Sequence, residues 1–326
     1  MALKEVDFLA SLSSIKNPHL ISYHGHTVDR KDANTHIFWI LIELGKKGTL
    51  WDLLAKKLEN KQTFSEKEIL TIGKKLGNAL VYIHEHGQIH CDVKVENILC
   101  FDNDEYKLCD FGSVNTFDID FKSVDPESMY KYEEIFEKQT TLMYRPPEMC
   151  DPYLGYKVNS KVDVWMLGCV LFTLMFFKHP FAESSKLSIT SASFRYPVEN
   201  QYSPDLEVLV RNLLTPNPDI RPDAPTVVSW IEKLEWRKDD KNQILELNEM
   251  AFKISQEHNA KHLVMKTGKY RKYSPDVAAR NRREAKVKKT KTNKDVFGEF
   301  KQDIRYSNPQ RRKRSGESNE GGTSTD

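Results

Sequence analysis

Four polar side chains in the middle of the chain have the types and spacing for phosphoryl chemistry. Asp92, Lys94 and Asn97 fall in Ile89-His90-Cys91-Asp92-Val93-Lys94-Val95-Glu96-Asn97-Ile98-Leu99, and Asp110 follows in Lys107-Leu108-Cys109-Asp110-Phe111-Gly112. A carboxylate such as Asp92 can accept a hydroxyl proton, and an ammonium such as Lys94 can neutralise phosphate charge. The oxygens of Asn97 and Asp110 are the hard ligands that Mg²⁺ takes. Together they suit phosphoryl transfer from a metal-bound nucleotide.

These groups must be delivered to one place by the elements around them. Ser65-Glu66-Lys67-Glu68 is a capping box, and Ile69, Leu70, Ile72, Leu76, Leu80 and Ile83 repeat at helical spacing up to Gly87. This predicts a long helix that hands the chain to the Asp92 loop. His84 and His86 at its end read as a solvated helix terminus rather than a metal site. Asp52 and the run Leu50–Leu58 start a shorter helix. Upstream, Leu3, Val6, Leu9 and Ala10 form one helical stripe, ended by Asn17-Pro18-His19. Residues 20–27 and 35–44 read as two strands joined by a polar turn. Downstream, Ser113 to Gln139 is a long polar stretch with many acids, Tyr130 and Tyr132. The apolar run Val164–Phe177 is too short to span a membrane and predicts a buried core helix.

The 326 residues allow one or two domains, and 39% hydrophobic with 29% charged content is ordinary for a soluble protein. Net charge is +2 but uneven: residues 237–326 carry 23 Lys and Arg against 13 Asp and Glu, leaving 26 against 34 for residues 1–236. An acidic globular part thus precedes a basic tail. The five cysteines (Cys91, Cys100, Cys109, Cys150, Cys169) never form Cys-x-x-Cys and read as reduced thiols of a cytoplasmic protein. The first residues lack the apolar run of a signal peptide. In the tail, Ile244, Leu247, Ala251, Ile254 and His258 suggest a helix within 237–265, and Ser274-Pro275-Asp276 is a helix start. Residues 266–326 are otherwise basic and disordered in character, with clusters at Arg280–Lys289 and Arg311–Arg314. The tail is a solvated segment, a contact for an anionic membrane surface or acidic partner, or a segment for nuclear import or RNA contact. No aromatic platform accompanies the charges, so specific nucleic-acid binding is not expected.

Asp92-to-Asn97 followed by Asp110-Phe111-Gly112 resembles the catalytic loop and metal-binding segment of protein kinases. Thr140-Thr141-Leu142-Met143-Tyr144-Arg145-Pro146-Pro147-Glu148, Asp163-Val164-Trp165-Met166-Leu167-Gly168 and Asn217-Pro218-Asp219-Ile220-Arg221-Pro222 follow in the kinase order. His-x-Asp-x-Lys-Val-Glu-Asn-Ile-Leu (90–99) and Leu-Cys-Asp-Phe-Gly-Ser (108–113) are similar to the Numb-associated kinases, the group of the adaptor-associated, cyclin-G-associated and yeast actin-regulating kinases. The resemblance covers about residues 3–236. It implies an α+β, bilobal protein-kinase-like fold, with a truncated small lobe over 1–45, starting at its helix, and a mainly α-helical large lobe over 46–236. It implies a Ser/Thr kinase using ATP and Mg²⁺ on clathrin-adaptor or endocytic and actin-patch proteins.

Residue by residue, the resemblance implies that Asp92 is the base, Lys94 steadies the transferring group, and Asn97 and Asp110 hold Mg²⁺. Thr141 would lie near Asp92. Ile42 would be the gatekeeper, with Glu43, Leu44 and Gly45 as the adenine-binding hinge. Asp52 would be a further nucleotide contact, and Leu99 and Cys109 the floor. Structural roles fall to Glu5 on the first helix, His90, Asp163 as holder of the loop backbone, and the Glu148–Arg221 pair.

The chain departs from this pattern twice. No Gly-x-Gly-x-x-Gly occurs, and Lys4 abuts Glu5, so it reads as a surface helix residue rather than a phosphate-binding lysine. Either the sequence is N-terminally incomplete and the kinase is active, or a short protein acts as a pseudokinase scaffold. Cys91 stands where most kinases have an arginine that gathers an activation-segment phosphate. A thiol cannot pair with phosphate as a guanidinium does, so gating through this residue is not expected.

Overall fold

The computed structural model describes residues 2–12, 17–32, 35–182, 185–197 and 200–236. The helix expected within 237–265 and the basic tail lie outside them, as does the side chain of Lys4. Among the described residues the fold is mixed helix and strand with few strands.

Helix α1 (Ala2–Leu12) buries Val6 and Leu9, and Phe8 meets Phe111 with ring centroids 4.9 Å apart. Ala10, expected on the same stripe, is exposed. Strands β1 (Tyr23–Arg30) and β2 (His36–Ile42) pair antiparallel from Tyr23↔Ile42 to Arg30↔His36, with an irregularity between Tyr23 and Gly25. Strand β1 lies three residues later than the expected 20–27, and β2 is shorter than the expected 35–44. Leu20 and Ile21 are buried elsewhere: Ile21 N–H donates to Leu108 O at 3.0 Å and Leu108 N–H to His19 O at 2.9 Å. Glu43 N–H donates to Ser22 O at 2.9 Å, closing the base of the hairpin.

Helix α2 (Leu50–Glu59) begins at a capping box in which Thr49 and Asp52 exchange backbone and side-chain hydrogen bonds. Helix α3 (Glu66–Glu85) begins at the expected box of Ser65 and Glu68, buries all six periodic apolar residues, and is followed by Gly87 at φ 69°. Strands β3 (Ile98–Cys100) and β4 (Tyr106–Leu108) form a hairpin directly after the Asp92 loop, with Leu99 opposite Lys107.

The polar stretch 113–139 is not a plain loop. It holds β5 (Ile119–Asp120) and helix α4 (Pro126–Gln139), capped by Asp125. Its sparse apolar residues are collected on one side: Ile119, Phe121 and Phe136 are buried with Ile89, Cys91, Met149, Val158 and Val162, and Phe117, Tyr132 and Ile135 pack against them. High charge density hid this seam, because apolar side chains scattered among many acids give a weak periodic signal.

Helix α5 (Pro147–Cys150), strand β6 (Lys157–Val158, paired with β5) and helix α6 (Lys161–Phe176) follow. Helix α6 is buried from Val162 to Met175, as a helix apolar on every side must be. It lies against α3 and α8. At Gly168 an added Cβ would stand 2.9 Å from Leu213 Cβ, so this glycine permits the close crossing. Helices α7 (Lys186–Thr190), α8 (Pro204–Leu213) and α9 (Ala224–Trp236) complete the described chain. Helix α9 packs on α3, where Lys74 pairs with Glu232 and Glu235 at 3.4 and 2.9 Å.

Candidate active site

The Asp92 loop leaves α3 through Gly87 and is tied down at its first residues. Ile89 and Asn115 exchange backbone hydrogen bonds at 2.7 and 2.9 Å. Asp163, fully buried at the start of α6, accepts from His90 N–H and Cys91 N–H, both at 2.9 Å. His84 Nε2 lies 2.8 Å from the same carboxylate. The expectation of a solvated His84 is therefore wrong: α3 aims it inward, and it supplies a third contact to a carboxylate with no access to water. His86 does stay exposed, bonded to Tyr82 O.

His90 is fully buried, meets Cys109 O through Nε2 at 3.2 Å, and accepts Asp92 N–H at Nδ1. It thereby bridges the two halves of the site. Cys91 adopts φ 65°, a left-handed conformation unusual for a non-glycine residue. Burial pushes its thiol well up from the ordinary value, with Asp163 and Asp92 adding to the effect.

The reactive constellation is compact. Asp92 Oδ1 accepts the Thr141 hydroxyl at 2.8 Å. Asp92 Oδ2 accepts Lys94 Nζ and, at 3.0 Å, Asn97 Nδ2, which also donates to the Asp92 carbonyl at 2.9 Å. Lys94 Nζ reaches Thr141 Oγ1 at 3.1 Å. Four of the expected catalytic residues are thus joined by direct hydrogen bonds. Thr141 is carried there by the end of α4: Thr140 is buried, bonds Phe136 O, and is gripped by Arg145 Nε at 2.8 Å and Nη2 at 3.1 Å.

Asp110, the fifth, is exposed, at φ 63°, with Gly112 N–H on its Oδ1 at 3.3 Å. The oxygen of the Asn97 amide and the second oxygen of Asp110 have no hydrogen bond within the described residues. This donor set of one amide and one carboxylate oxygen fits a hard divalent cation. Glu5 lies beside Asp110, and burial, then the Asp110 charge, push its carboxyl above the usual range. Among the described residues no cation pairs with Glu5. Phe111 is buried between Phe8 and His90.

The nucleotide-binding residues implied by the sequence sit on the connection from β2 to α2 and on the hairpin β3–β4. A Cβ added at Gly45 would touch Leu99 Cβ at 3.0 Å, so the segment after β2 lies directly on the floor residue. Cys109 is buried at the end of β4; burial pushes its thiol up to about 12 and leaves it unreactive. Ile42 and Leu44 are exposed, Leu44 at 74%. Asp52 holds its Oδ2 on Thr49 N and Oγ1, both at 2.9 Å. Glu43 carries a partner the sequence did not suggest: Lys107 Nζ lies 2.9 and 2.8 Å from its two carboxylate oxygens. Burial works against ionisation of Glu43, but hydrogen bonds from Lys107 and Ser22 and the Lys107 charge outweigh it and hold the carboxyl below its usual range.

Glu148 and Arg221 meet in a two-point pair at 2.7 and 2.9 Å. His84, Lys107, Thr140 and Arg145 are the site residues missed by sequence reasoning. Their partners lie on other elements, so no local spacing announced them, although Thr140 and Arg145 do sit in a motif already singled out.

Residues 1–230 match the family model for the protein kinase domain. The chain is 35% identical to a probable serine/threonine-protein kinase of Dictyostelium discoideum over 234 residues, covering 71% of this chain and 20% of that protein. It is 34% identical to Actin-regulating kinase 1 of Saccharomyces cerevisiae, over 68% of this chain and 34% of the relative. Actin-regulating kinase PRK1 of the same yeast is 32% identical over 71% of this chain and 28% of its own length. The chain spans between a fifth and about a third of the length of these relatives.

Proposed function

The chain belongs to the protein kinase family, and on that premise we propose that it transfers the γ-phosphoryl group of ATP to serine or threonine hydroxyls of a protein. The observation that carries this reading is the Thr141 hydroxyl held 2.8 Å from Asp92 Oδ1, with Lys94 touching both. An aliphatic hydroxyl is already accommodated on the carboxylate at hydrogen-bond distance. A substrate hydroxyl placed there would lose its proton to Asp92 as it attacks. Asn97 and Lys94 hold the other carboxylate oxygen, so the base cannot rotate away. Lys94 then faces the negative charge that builds on the transferring group. When bound, Mg²⁺ would neutralise phosphate charge, and Asn97 and Asp110 are the residues that would hold it. The residues from Ile42 to Gly45, with Asp52, Leu99 and Cys109, would bind the nucleoside.

Kinship with the actin-regulating kinases of yeast and the Numb-associated pattern at 90–99 support substrates among clathrin-adaptor, endocytic or actin-patch proteins. Five buried free cysteines among the described residues support a reducing, cytoplasmic setting, and the basic composition of 266–326 supports contact with an anionic membrane surface.

A second reading, a scaffold that does not transfer phosphate, draws on Glu5, which among the described residues neighbours Asp110 rather than a cation. Two measurements on the full chain decide between them. The active reading expects a rise in melting temperature with Mg·ATP, and phosphate incorporation into a Ser/Thr peptide library. Asp92→Asn should lower incorporation by about 10²-fold or more while keeping the thermal shift. Neither shift nor incorporation would leave the scaffold reading standing.

A further inference from the structure

The ion pair between Lys107 and Glu43 joins the head of the β2–α2 connection to strand β4. Glu43 lies just past β2, at the head of the connection to α2. Lys107 lies in the middle of β4, opposite Leu99 on the neighbouring strand and three residues before Asp110. Both Glu43 oxygens are engaged by the ammonium, at 2.9 and 2.8 Å, and Ser22 N–H adds a contact to Oε2 at 3.3 Å. The Lys107 side chain is 11% exposed and that of Glu43 27%, so the pair is largely withdrawn from solvent. Its ammonium also lies 5.0 Å from the centre of the Phe101 ring, which favours a cation there. A lysine in the middle of a buried hairpin strand is unusual unless its charge is matched, and Glu43 is the matching group.

Among the described residues, backbone contacts reach β4 from the head of this connection only through residues 19–22. Lys47 N–H reaches Cys100 O at 3.3 Å and Cys100 N–H reaches Gly48 O at 2.9 Å, but these lie at its far end, on β3. At the near end, Glu43 N–H bonds Ser22, on the strand side. Ser22 follows Ile21, which bonds Leu108 of β4, so the backbone route from Glu43 to β4 is indirect, and among the described residues the Lys107–Glu43 pair is the direct side-chain link from that end to β4. The Glu43 carbonyl and the Gly45 N–H make no backbone hydrogen bond among the described residues.

We propose that Lys107 is a positioning residue for the nucleotide: by holding Glu43 it sets the spacing between the base-binding backbone at 43–45 and the floor at Leu99. The role is exerted through Glu43 and the backbone, with no contact between Lys107 and the phosphates. It rests on the nucleotide-binding reading above.

The test compares full-length wild type, Lys107→Met, Glu43→Gln, the double variant and Lys107→Arg. Titration with adenosine and with Mg·ADP gives affinities, and thermal unfolding without ligand reports fold stability. We expect each single variant to weaken both ligands about fivefold, within the range of couplings between touching residues. The double variant should be no weaker than the singles, and Lys107→Arg should restore most of the loss. A loss with Mg·ADP but not adenosine would mean that the charge acts on phosphates, and would overturn the proposal. So would additive losses, or single variants that bind as wild type does. A loss of affinity matched by collapse of the unfolding transition, unrescued by arginine, would reduce the pair to a fold contact. Wild type that binds neither ligand would overturn the functional reading along with this one, whereas wild-type binding that the variants retain would overturn this one alone.

Discussion

Glu148 and Arg221 form a fully buried, two-point ion pair: Nη1 to Oε1 at 2.7 Å and Nη2 to Oε2 at 2.9 Å, with both side chains 0% exposed. The guanidinium is engaged on every side. Nε donates to Thr215 O, and Nη1 and Nη2 reach Lys161 O and Pro216 O. It lies over Trp165, 5.2 Å from the ring centre. One side chain thereby ties α5, the start of α6 and the loop before α9. Removing either partner alone leaves a buried charge without its counter-ion. We expect Arg221→Met to cost about 3–5 kcal/mol in denaturant unfolding. Arg221→Lys should rescue little, because an ammonium cannot reproduce the fork. Retention of wild-type stability by either variant would contradict this account.

A second fixed point is Asp163. Its carboxylate holds the N–H groups of His90 and Cys91, while His84 braces it from α3. Asp163→Ala would strand two buried donors beside Asp92, at about 1–3 kcal/mol each. Native-state hydrogen exchange should show the His90 and Cys91 amides lose protection first. His84→Leu keeps both acceptor bonds and should open them less. Equal protection in all three proteins would show that the loop is held by something else.

How far such relations can be read from sequence depends on their range. The capping box at Ser65 and the buried run of α6 are local, and the types of neighbouring residues disclose them. Asp92, Lys94 and Asn97 share one short loop and are legible from their spacing, whereas Thr141, 49 residues from Asp92, is placed there only by the resemblance. His84 with Asp163 and Lys107 with Glu43 are 79 and 64 residues apart. An exposed and a buried histidine look alike in sequence, and so do free and paired lysines. Helix α4 was obscured for a different reason. Its apolar side is thin, and it is stabilised by aromatic contacts such as Phe117–Phe136 and Phe121–Tyr132, which close only in the fold.

His179 gives the protein an acid-sensitive point. It is buried beside Tyr144, with ring centroids 4.5 Å apart, and its Nδ1 accepts Phe181 N–H at 3.1 Å. Burial lowers its pKa from the ordinary 6.5 to about 3. Between these values the unfolded chain takes up a proton that the folded chain refuses. Stability is therefore undiminished above about 6.5 and falls as pH drops, by about 1.4 kcal/mol per unit at the steepest. Denaturant midpoints measured from pH 7 to 5 should decline in wild type. In His179→Gln, which keeps an acceptor for Phe181, the decline should be smaller, because all other titrating groups are shared. Parallel pH profiles would refute the assignment.

The most consequential departure of the sequence is Cys91, and its surroundings sharpen what that departure does. The thiol is 0% exposed and packs with Ile89, Phe121, Phe136, Met149 and Val162, beneath helix α4. That cluster seats the segment leading through Thr140 to Thr141, and so to Asp92. Apolar packing, not a charged cluster, holds the segment in place at this point. Treating the full-length protein with phosphatase should leave its rate on a peptide substrate within about twofold. A large loss of rate would sink this expectation. Cys91→Arg should not install phosphate control. It would place a guanidinium among aromatic side chains with no acid left unengaged, since both oxygens of Asp163 already hold backbone N–H groups. We expect a loss of several kcal/mol in stability. Cys91→Ala removes only a small apolar volume and should cost about 1 kcal/mol while sparing the Thr141–Asp92 contact. If Cys91→Arg were instead as stable as wild type and gained activity on phosphorylation, the pocket would have to open to solvent, against the packing seen around Phe121 and Phe136.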